Sequence, residues 1–267
     1  MLDISIINKI ADQLQNAEKK RSQIKQLSLQ YPEMTIEDAY AIQKAWVELK
    51  VAEGREIKGH KIGLTSRAMQ RSSNIDEPDY GVLLDDMFFE ESTTIPTDRF
   101  IVPRIEVELA FILGKTLQGP NCTIYDVLEA TNWVMPALEI IDARIEQIDK
   151  ETGKTRKVFD TISDNAANAG VVSGGRIIRP TDMDLRRVSA ILYKNGVIEE
   201  SGVSAAVLNH PAKGVAWLAN KLYPYGMALE AGQFILSGSF TSPIYVKKGD
   251  TISVDYHELG SISCYFG

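Results

Sequence analysis

The chain has 267 residues, of which 44% are hydrophobic and 24% are charged, as in a soluble globular protein with a large core. Its formal net charge of −7 argues against a nucleic acid or an anionic membrane as a partner. No run of 18 apolar residues predicts a membrane span, and the N-terminus lacks the apolar core of a signal peptide. Cys122 and Cys264 are isolated and predict reduced thiols in a cytoplasmic protein.

The first 55 residues predict a small helical section. Apolar residues recur at three- and four-residue steps from Ile4 to Ala17, which is the pattern of an amphipathic helix. A second helix is predicted after Thr35, an N-cap residue with Asp38 in the capping-box position, and it is expected to end near Gly54. We therefore divide the chain into an N-terminal helical section, residues 1–55, and a β-rich catalytic domain, residues 56–267.

Short apolar runs separated by turn residues predict strands through the rest of the chain. The predicted strands lie at 57–65, 81–84, 100–102, 105–113, around Glu139, and at 188–194, 197–198, 234–236, 244–246, 251–256 and 262–266. Helices are predicted after Thr123 and Pro211. Polar residues 66–79 predict a mobile segment with one or two helical turns, and residues 161–170 predict a loop beside a site. The fold class is α+β, with the helical section on a larger β-structure.

The segment from Arg104 to Ile112 alternates apolar and charged residues, as a strand does. Glu106 and Glu108 therefore lie on one face, with Cβ atoms roughly 7 Å apart. Glu139 lies in another apolar run, where a carboxylate needs a partner. We hypothesise that these three glutamates bind Mg²⁺ or Mn²⁺, because hard cations prefer oxygen ligands. The alternative is a one-sided strand whose acids face water, and the spacing by itself favours that alternative.

The third glutamate and the scarcity of softer ligands favour the metal site. The three histidines, His60, His210 and His257, do not cluster in the sequence and form no zinc-binding pattern. No histidine is therefore assigned a catalytic role.

Five motifs follow one another along the chain. They are G-H-K-I-G-L-T-S (59–66), D-E-P-D-Y-G (76–81), R-I-E-V-E-L-A-F (104–111), P-A-L-E-I-I-D (136–142) and S-D-N-A-A-N-A-G (163–170). Together with H-P-x-x-x-x-x-W-L (210–218) and S-G-S (237–239), they resemble the 2-oxo acid hydratase/decarboxylase branch of the fumarylacetoacetate hydrolase superfamily. The resemblance covers nearly the whole chain. It implies a mixed β-sandwich roll, a homo-oligomer, and Mg²⁺ on the three glutamates.

The resemblance implies metal-dependent hydration of a small 2-oxo/2-hydroxy-dienoate in aromatic catabolism. The expected reaction converts 2-oxo-hept-4-ene-1,7-dioate to 4-hydroxy-2-oxoheptanedioate in homoprotocatechuate degradation. The alternatives are a 4-oxalocrotonate-type decarboxylase, a 2-hydroxypenta-2,4-dienoate hydratase and, last, a non-catalytic partner subunit of a decarboxylase. The motifs do not separate hydration from decarboxylation, because both use a metal-stabilised enolate.

Two residues are candidates for catalysis. Lys61 lies between Gly59 and Gly63, where the backbone can approach a ligand closely, and its alternative role is a solvent-facing lysine at a strand edge. The family motif favours a role for Lys61 beside the metal. The resemblance also places Asp79 near the site as a proton-transfer or water-orienting carboxylate, whereas its local sequence favours ordinary turn chemistry.

The predicted substrate-binding residues are Lys61, Thr65, Arg67 and Ser163. Ser163 offers a hydroxyl to the substrate carboxylate, with loop capping as an equal alternative. A seven-carbon diacid also needs its far carboxylate recognised, and we hypothesise that Arg67 or Arg71 supplies this contact from a closing lid. Exposed arginines on a solvated loop are the alternative.

Overall fold

The computed structural model describes residues 1–267, apart from the side chain of Ser72. Its helices are α1 (Ile4–Lys20), α2 (Leu27–Gln30), α3 (Ile36–Ala52), α4 (Arg67–Ser73), α5 (Ile124–Ala130), α6 (Val158–Ser163) and α7 (Ala212–Leu222). Its strands are β1 (Ile57–Gly63), β2 (Asp79–Leu84), β3 (Phe88–Glu90), β4 (Thr94–Ile95), β5 (Arg104–Leu113), β6 (Thr131–Ile141), β7 (Asn168–Ser173), β8 (Ser189–Lys194), β9 (Val197–Val203), β10 (Phe234–Leu236), β11 (Ile244–Tyr245), β12 (Thr251–Asp255) and β13 (Ser261–Phe266). Among the described helices, none combines the length and the apolar content that a membrane span requires.

The N-terminal helices form as the sequence predicts. Thr35 and Asp38 make the expected capping box at the start of α3, and α1 packs along α3. The apolar cluster between these helices also takes in Ile145, Val158 and Ile162 from later in the chain. The boundary near residue 55 therefore stays a prediction, because the helical section shares its core with the β-rich part.

The larger sheet curls into a roll. Its strands run in the order β2-β1-β10-β5-β6-β7-β3, with β11 also paired to β5. The two edge strands, β2 and β3, are joined by residues 85–87 alone, so the edges of the sheet lie close together. The side chains of the strands alternate between the inside of the roll and its outside.

The outside of the roll packs against a second sheet with the order β4-β13-β12-β8-β9. Ile105, Val107 and Leu109 of β5 face this main core, together with residues of β8, β12, β13 and α7. The intervening residues of β5 face the inside of the roll, where Ala110 joins an apolar cluster with Phe234. This arrangement confirms the predicted α+β class and mixed β-sandwich roll.

Two predicted elements are wrong. Residues 161–170 are not a loop: they contain the end of α6, a short 3₁₀ turn and the first half of β7. Small residues fit there because β7 is a central strand, and Gly170 lies against the Phe89 ring. Residues 100–102 form no strand, because the N–H groups of Ile101 and Val102 donate to the Asp142 carboxylate.

Candidate metal centre and active site

Three glutamates converge inside the roll. Glu106 on β5 is directly opposite Glu139 on β6, and Glu108 lies on the same face two residues further along β5. One carboxylate oxygen from each residue lies within 4.8 Å of the others. Glu106 is half-buried, and Glu108 and Glu139 are buried. The structure thus brings the three predicted ligands together, and the alternative of acids in water does not describe Glu108 or Glu139.

The electrostatics of this cluster fit a cation. Burial raises the pKa of Glu139 to about 7, opposed by Lys61, and burial together with the neighbouring glutamates raises the pKa of Glu108 well above its ordinary value. Neither oxygen of Glu139 has a hydrogen-bond partner among the described groups. Carboxylates of like charge that are gathered in one place, with a single nearby lysine to balance them, are a ligand set that a hard divalent cation takes. The residues present therefore fit Mg²⁺ or Mn²⁺.

Lys61 lies beside the acids and out of solvent. Its Nζ donates to the carbonyl oxygen of Ala166 at 2.9 Å and lies 3.3 Å from Oε1 of Glu139. Burial opposes the charge on Lys61, but the carboxylates of Glu139 and Asp79 outweigh burial and raise the lysine pKa. With only 4% of the residue exposed, Lys61 is not the solvent-facing lysine of the alternative interpretation.

Asp79 is a buried carboxyl at the start of β2. Burial raises its pKa, while the cations of Lys61 and Arg156 lower it. Its backbone pairs with Gly63 on β1, and a Cβ at residue 63 would lie 2.2 Å from Oδ1 of Asp79 and 3.2 Å from Nζ of Lys61. Glycine at this position is what allows the lysine and the aspartate to approach each other.

A strained turn positions the carbonyl that Lys61 contacts. Asn165, Ala166 and Ala167 all have positive φ angles, between 51° and 59°. The Asn165 side chain fixes the turn by exchanging two hydrogen bonds with the backbone of Val82. Three consecutive left-handed residues other than glycine are uncommon and costly, and such strain clusters at functional sites. The small residues in this segment gave no sequence signal for the role of the Ala166 carbonyl.

The Ser-Gly-Ser segment, residues 237–239, supports the glutamates from the other side. The N–H of Gly238 donates to Oε2 of Glu108 at 2.8 Å, and the hydroxyls of Ser237 and Ser239 donate to carbonyl oxygens of β5. Gly238 has a φ of +116°, and a Cβ there would lie 2.4 Å from Oγ1 of Thr65. This segment therefore links the predicted residue Thr65 to a predicted metal ligand.

The remaining substrate-binding candidates lie in two places. Ser163 is buried at the end of α6, and its hydroxyl has no partner among the described groups. Arg67 is exposed and lines a cavity of about 740 Å³ with Thr65, Lys213 and Trp217. The described lining of that cavity does not include the three glutamates, so the structure places Arg67 outside the carboxylate cluster. Arg71 is exposed on α4.

Arg156 is a further charged residue near the site, and no sequence pattern predicts its role. Its Nη1 is buried and has no hydrogen-bond acceptor among the residues that the structure describes. Asp79 and Asp164 are among the charged groups with which it interacts. The sequence offered no signal for it, because Arg156 lies in the ordinary polar run Lys154-Thr155-Arg156-Lys157.

The chain belongs to the fumarylacetoacetate hydrolase family: the model of the fumarylacetoacetate (FAA) hydrolase C-terminal family matches residues 58–266. It is 69% identical to the 2-oxo-hept-4-ene-1,7-dioate hydratase of Escherichia coli, over 96% of each chain. It is 37% identical to a 4-oxalocrotonate decarboxylase of Pseudomonas sp. (strain CF600), over 96% of this chain and 95% of that one.

A solved structure shares the whole fold. The 4-oxalocrotonate decarboxylase of Pseudomonas putida G7 superposes with a TM-score of 0.94, at 35% identity, over 100% of this chain and 99% of that one. That enzyme has been solved in complex with magnesium and adipate, and also with calcium and acetate.

Proposed function

We propose that this protein hydrates 2-oxo-hept-4-ene-1,7-dioate to 4-hydroxy-2-oxoheptanedioate, with Mg²⁺ held by Glu106, Glu108 and Glu139. The observation that carries the metal site is the convergence of three carboxylates, two of them buried, inside the roll. The substrate is supported by the 69% identity to a hydratase of that name. The magnesium complex of the related decarboxylase supports the choice of metal.

The metal would supply one kind of chemistry. When bound, Mg²⁺ stabilises as a Lewis acid the negative charge that develops on the oxygen of the substrate's 2-oxo group. The three glutamates hold it, and Gly238 fixes the orientation of Glu108 through its N–H. Glu139 is oriented by its ion pair with Lys61.

Lys61 acts as a fixed ammonium rather than as a base. Its pKa is raised, so the side chain stays charged at neutral pH and can donate to the carboxylate or 2-oxo oxygen of the substrate. The Ala166 carbonyl and Glu139 hold the ammonium in place from two directions. The hydroxyl of Ser163, free of other partners among the described groups, donates to the substrate carboxylate.

Asp79 moves the proton. Hydration needs one proton delivered to the carbon chain of the substrate and one removed from the attacking water. Asp79 is the buried carboxyl beside Lys61, and its raised pKa brings it closer to the neutral range where a general acid or base works well. The surrounding roll keeps bulk water away from the reacting chain.

The test is a direct assay with the purified protein. Incubation with the seven-carbon dienol and Mg²⁺ should consume the ultraviolet absorbance of the conjugated substrate and give a product heavier by one water. Activity should disappear with EDTA and return with Mg²⁺ or Mn²⁺. Full activity in EDTA would contradict the metal mechanism.

Decarboxylation is the second candidate, because the related 4-oxalocrotonate decarboxylase superposes over the whole chain. Measuring CO₂ release from 4-oxalocrotonate under the same conditions separates the two reactions. We expect no CO₂ above background. Release of CO₂ at the rate of substrate loss would replace hydration as the function.

We further propose that the protein works as a cytoplasmic homo-oligomer on this small-molecule substrate, with no nucleic-acid or membrane partner. The net charge of −7 supports the lack of an anionic partner. Light scattering coupled to gel filtration should give a mass that is a multiple of the 29.6 kDa chain.

A further inference from the structure

Arg156 is a half-buried arginine, and one nitrogen of its guanidinium is shielded from solvent without a hydrogen-bond acceptor among the described residues. It directly precedes Lys157, the N-cap of α6, and its backbone N–H donates to Gln147. Its Nη1 is shielded from solvent and has no acceptor within the described part of the chain. A buried charged donor without an acceptor is expensive, so such a group needs a reason to be there.

Two acids that interact with Arg156, Asp164 and Asp160, already accept hydrogen bonds from other residues. Both carboxylate oxygens of Asp164 accept from Arg144, one from its side chain and one from its backbone. Both oxygens of Asp160 accept from Ser28, and one of them also accepts from the N–H of Lys157. These acids balance the charge of Arg156 at a distance but leave its Nη1 unpaired.

Arg156 also belongs electrostatically to the active site. It is one of two cations that act on the buried Asp79 carboxyl, the other being Lys61. It also interacts with Arg104, which lies on β5 two residues before Glu106. The guanidinium of Arg104 lies over the Tyr245 ring, 5.5 Å from its centre. Arg156 therefore acts on the acid beside Lys61 and on the arginine that precedes the first glutamate of β5.

We propose that Arg156 binds the distal carboxylate of the substrate and so selects dicarboxylic over monocarboxylic 2-oxo acids. This inference rests on the proposed function, because it takes the 2-oxo end of the substrate to lie at the glutamates. A guanidinium can bind a carboxylate through two parallel hydrogen bonds, which supplies the acceptor that Nη1 lacks. Arg67, which the sequence suggested for this role, lines a cavity whose described lining includes neither Arg156 nor the three glutamates.

The test compares a diacid with a monoacid. Arg156→Met should lower kcat/KM for 2-oxo-hept-4-ene-1,7-dioate on the order of 100-fold, mainly through KM, because a buried charge partner is lost. Hydration of 2-hydroxypenta-2,4-dienoate, which has no distal carboxylate, should fall by much less than hydration of the diacid, because only the effect of Arg156 on Asp79 is lost. For the diacid, the kcat/KM of Arg156→Lys should lie between the values of the wild type and of Arg156→Met. Lysine keeps the positive charge but cannot make two parallel hydrogen bonds to a carboxylate.

Arg55→Met is the matched control, since Arg55 is an exposed arginine that forms ion pairs with Asp85 and Asp86, and both substrates should behave as with the wild type. An equal loss for both substrates in Arg156→Met and Arg156→Lys would overturn the proposal and leave Arg156 as a group that only positions Asp79. If the wild type hydrates neither substrate, the proposed function fails while the Arg156 site is still testable.

Calorimetric binding of adipate in the presence of Mg²⁺ should weaken in both variants, with acetate binding unaffected. Adipate affinity equal to that of the wild type, or no adipate binding by the wild type, would overturn the site.

Discussion

Glu106 and Glu139 are directly opposite each other across the antiparallel pair β5–β6. Like charges at such a position destabilise a sheet, and here Glu108 adds a third carboxyl on the same face. Burial raises the pKa of all three groups, and Lys61 only partly opposes the shift, so three acids share one nearby ammonium. A bound divalent cation would offset the negative charge that Lys61 leaves unbalanced.

Replacing Glu139 should separate metal binding from folding. Glu139→Gln keeps the shape of the side chain and removes its charge, so Mg²⁺ affinity should fall by more than about 100-fold, the upper end of effects from groups outside the ligand shell. The melting temperature without metal should rise, because repulsion between carboxylates is relieved. Calorimetric titration and thermal unfolding measure both quantities. Glu129→Gln, an exposed acid, is the control, and wild-type Mg²⁺ affinity in Glu139→Gln would show that Glu139 is not a ligand.

Replacing Lys61 should separate catalysis from metal binding. Lys61→Met removes the ammonium from Glu139, so Mg²⁺ affinity should stay the same or increase. The value of kcat should fall on the order of 10²- to 10⁴-fold, because the fixed donor beside the substrate is lost. Lys58→Met changes an exposed lysine of the same strand and should leave kcat unaltered. An unchanged kcat in Lys61→Met would remove Lys61 from the mechanism.

Gly63→Ala should act through Asp79. The added methyl would lie 2.2 Å from Oδ1 of Asp79, so the carboxyl must move, and a displacement of about 1 Å can lower kcat by roughly 100-fold. A double-mutant cycle tests the route of this effect. In an Asp79→Ala background, adding Gly63→Ala should lower kcat only slightly further. If Gly63→Ala lowered kcat equally in both backgrounds, Gly63 would be required for the geometry of strand β1 rather than for the position of Asp79.

His60 should make the fold sensitive to mild acid. Burial lowers the pKa of His60 to about 4, although a hydrogen bond with the Gly81 backbone opposes the shift. The unfolded chain takes up a proton near pH 6.5 and the folded chain does not, so stability is complete above pH 6.5 and is lost as pH falls toward 4. Between pH 7 and pH 5 this loss amounts to about 2 kcal/mol.

Urea unfolding at the two pH values measures the contribution of His60. Between pH 7 and pH 5 the free energy of unfolding should fall in both proteins, but the fall in His60→Gln should be smaller than in the wild type by about 2 kcal/mol. His257→Asn, at an exposed position, should keep the wild-type pH dependence. A pH dependence of His60→Gln that matches the wild type would show that His60 is not held neutral.

Local elements were predictable because short-range chemistry determines them. The capping box of Thr35 and Asp38 involves residues three apart, and the structure confirms it. The turn at Asn195 and Gly196 has the positive φ angles that this dipeptide favours, and it joins β8 to β9, where the sequence predicts strands at 188–194 and 197–198. By contrast, residues 161–170 were misassigned, because their small side chains are determined by burial in a central strand rather than by local preference.

The sequence by itself determined that Glu106 and Glu108 share one face of a strand, because side chains alternate along an extended chain. It also placed Glu139 in a second buried run. Only the tertiary structure decided that Glu139 lies opposite Glu106, since the register between β5 and β6 depends on the pairing of distant segments. The same holds for the contact of Lys61 with the Ala166 carbonyl and for the solvent-shielded Nη1 of Arg156, because both depend on how distant segments pack.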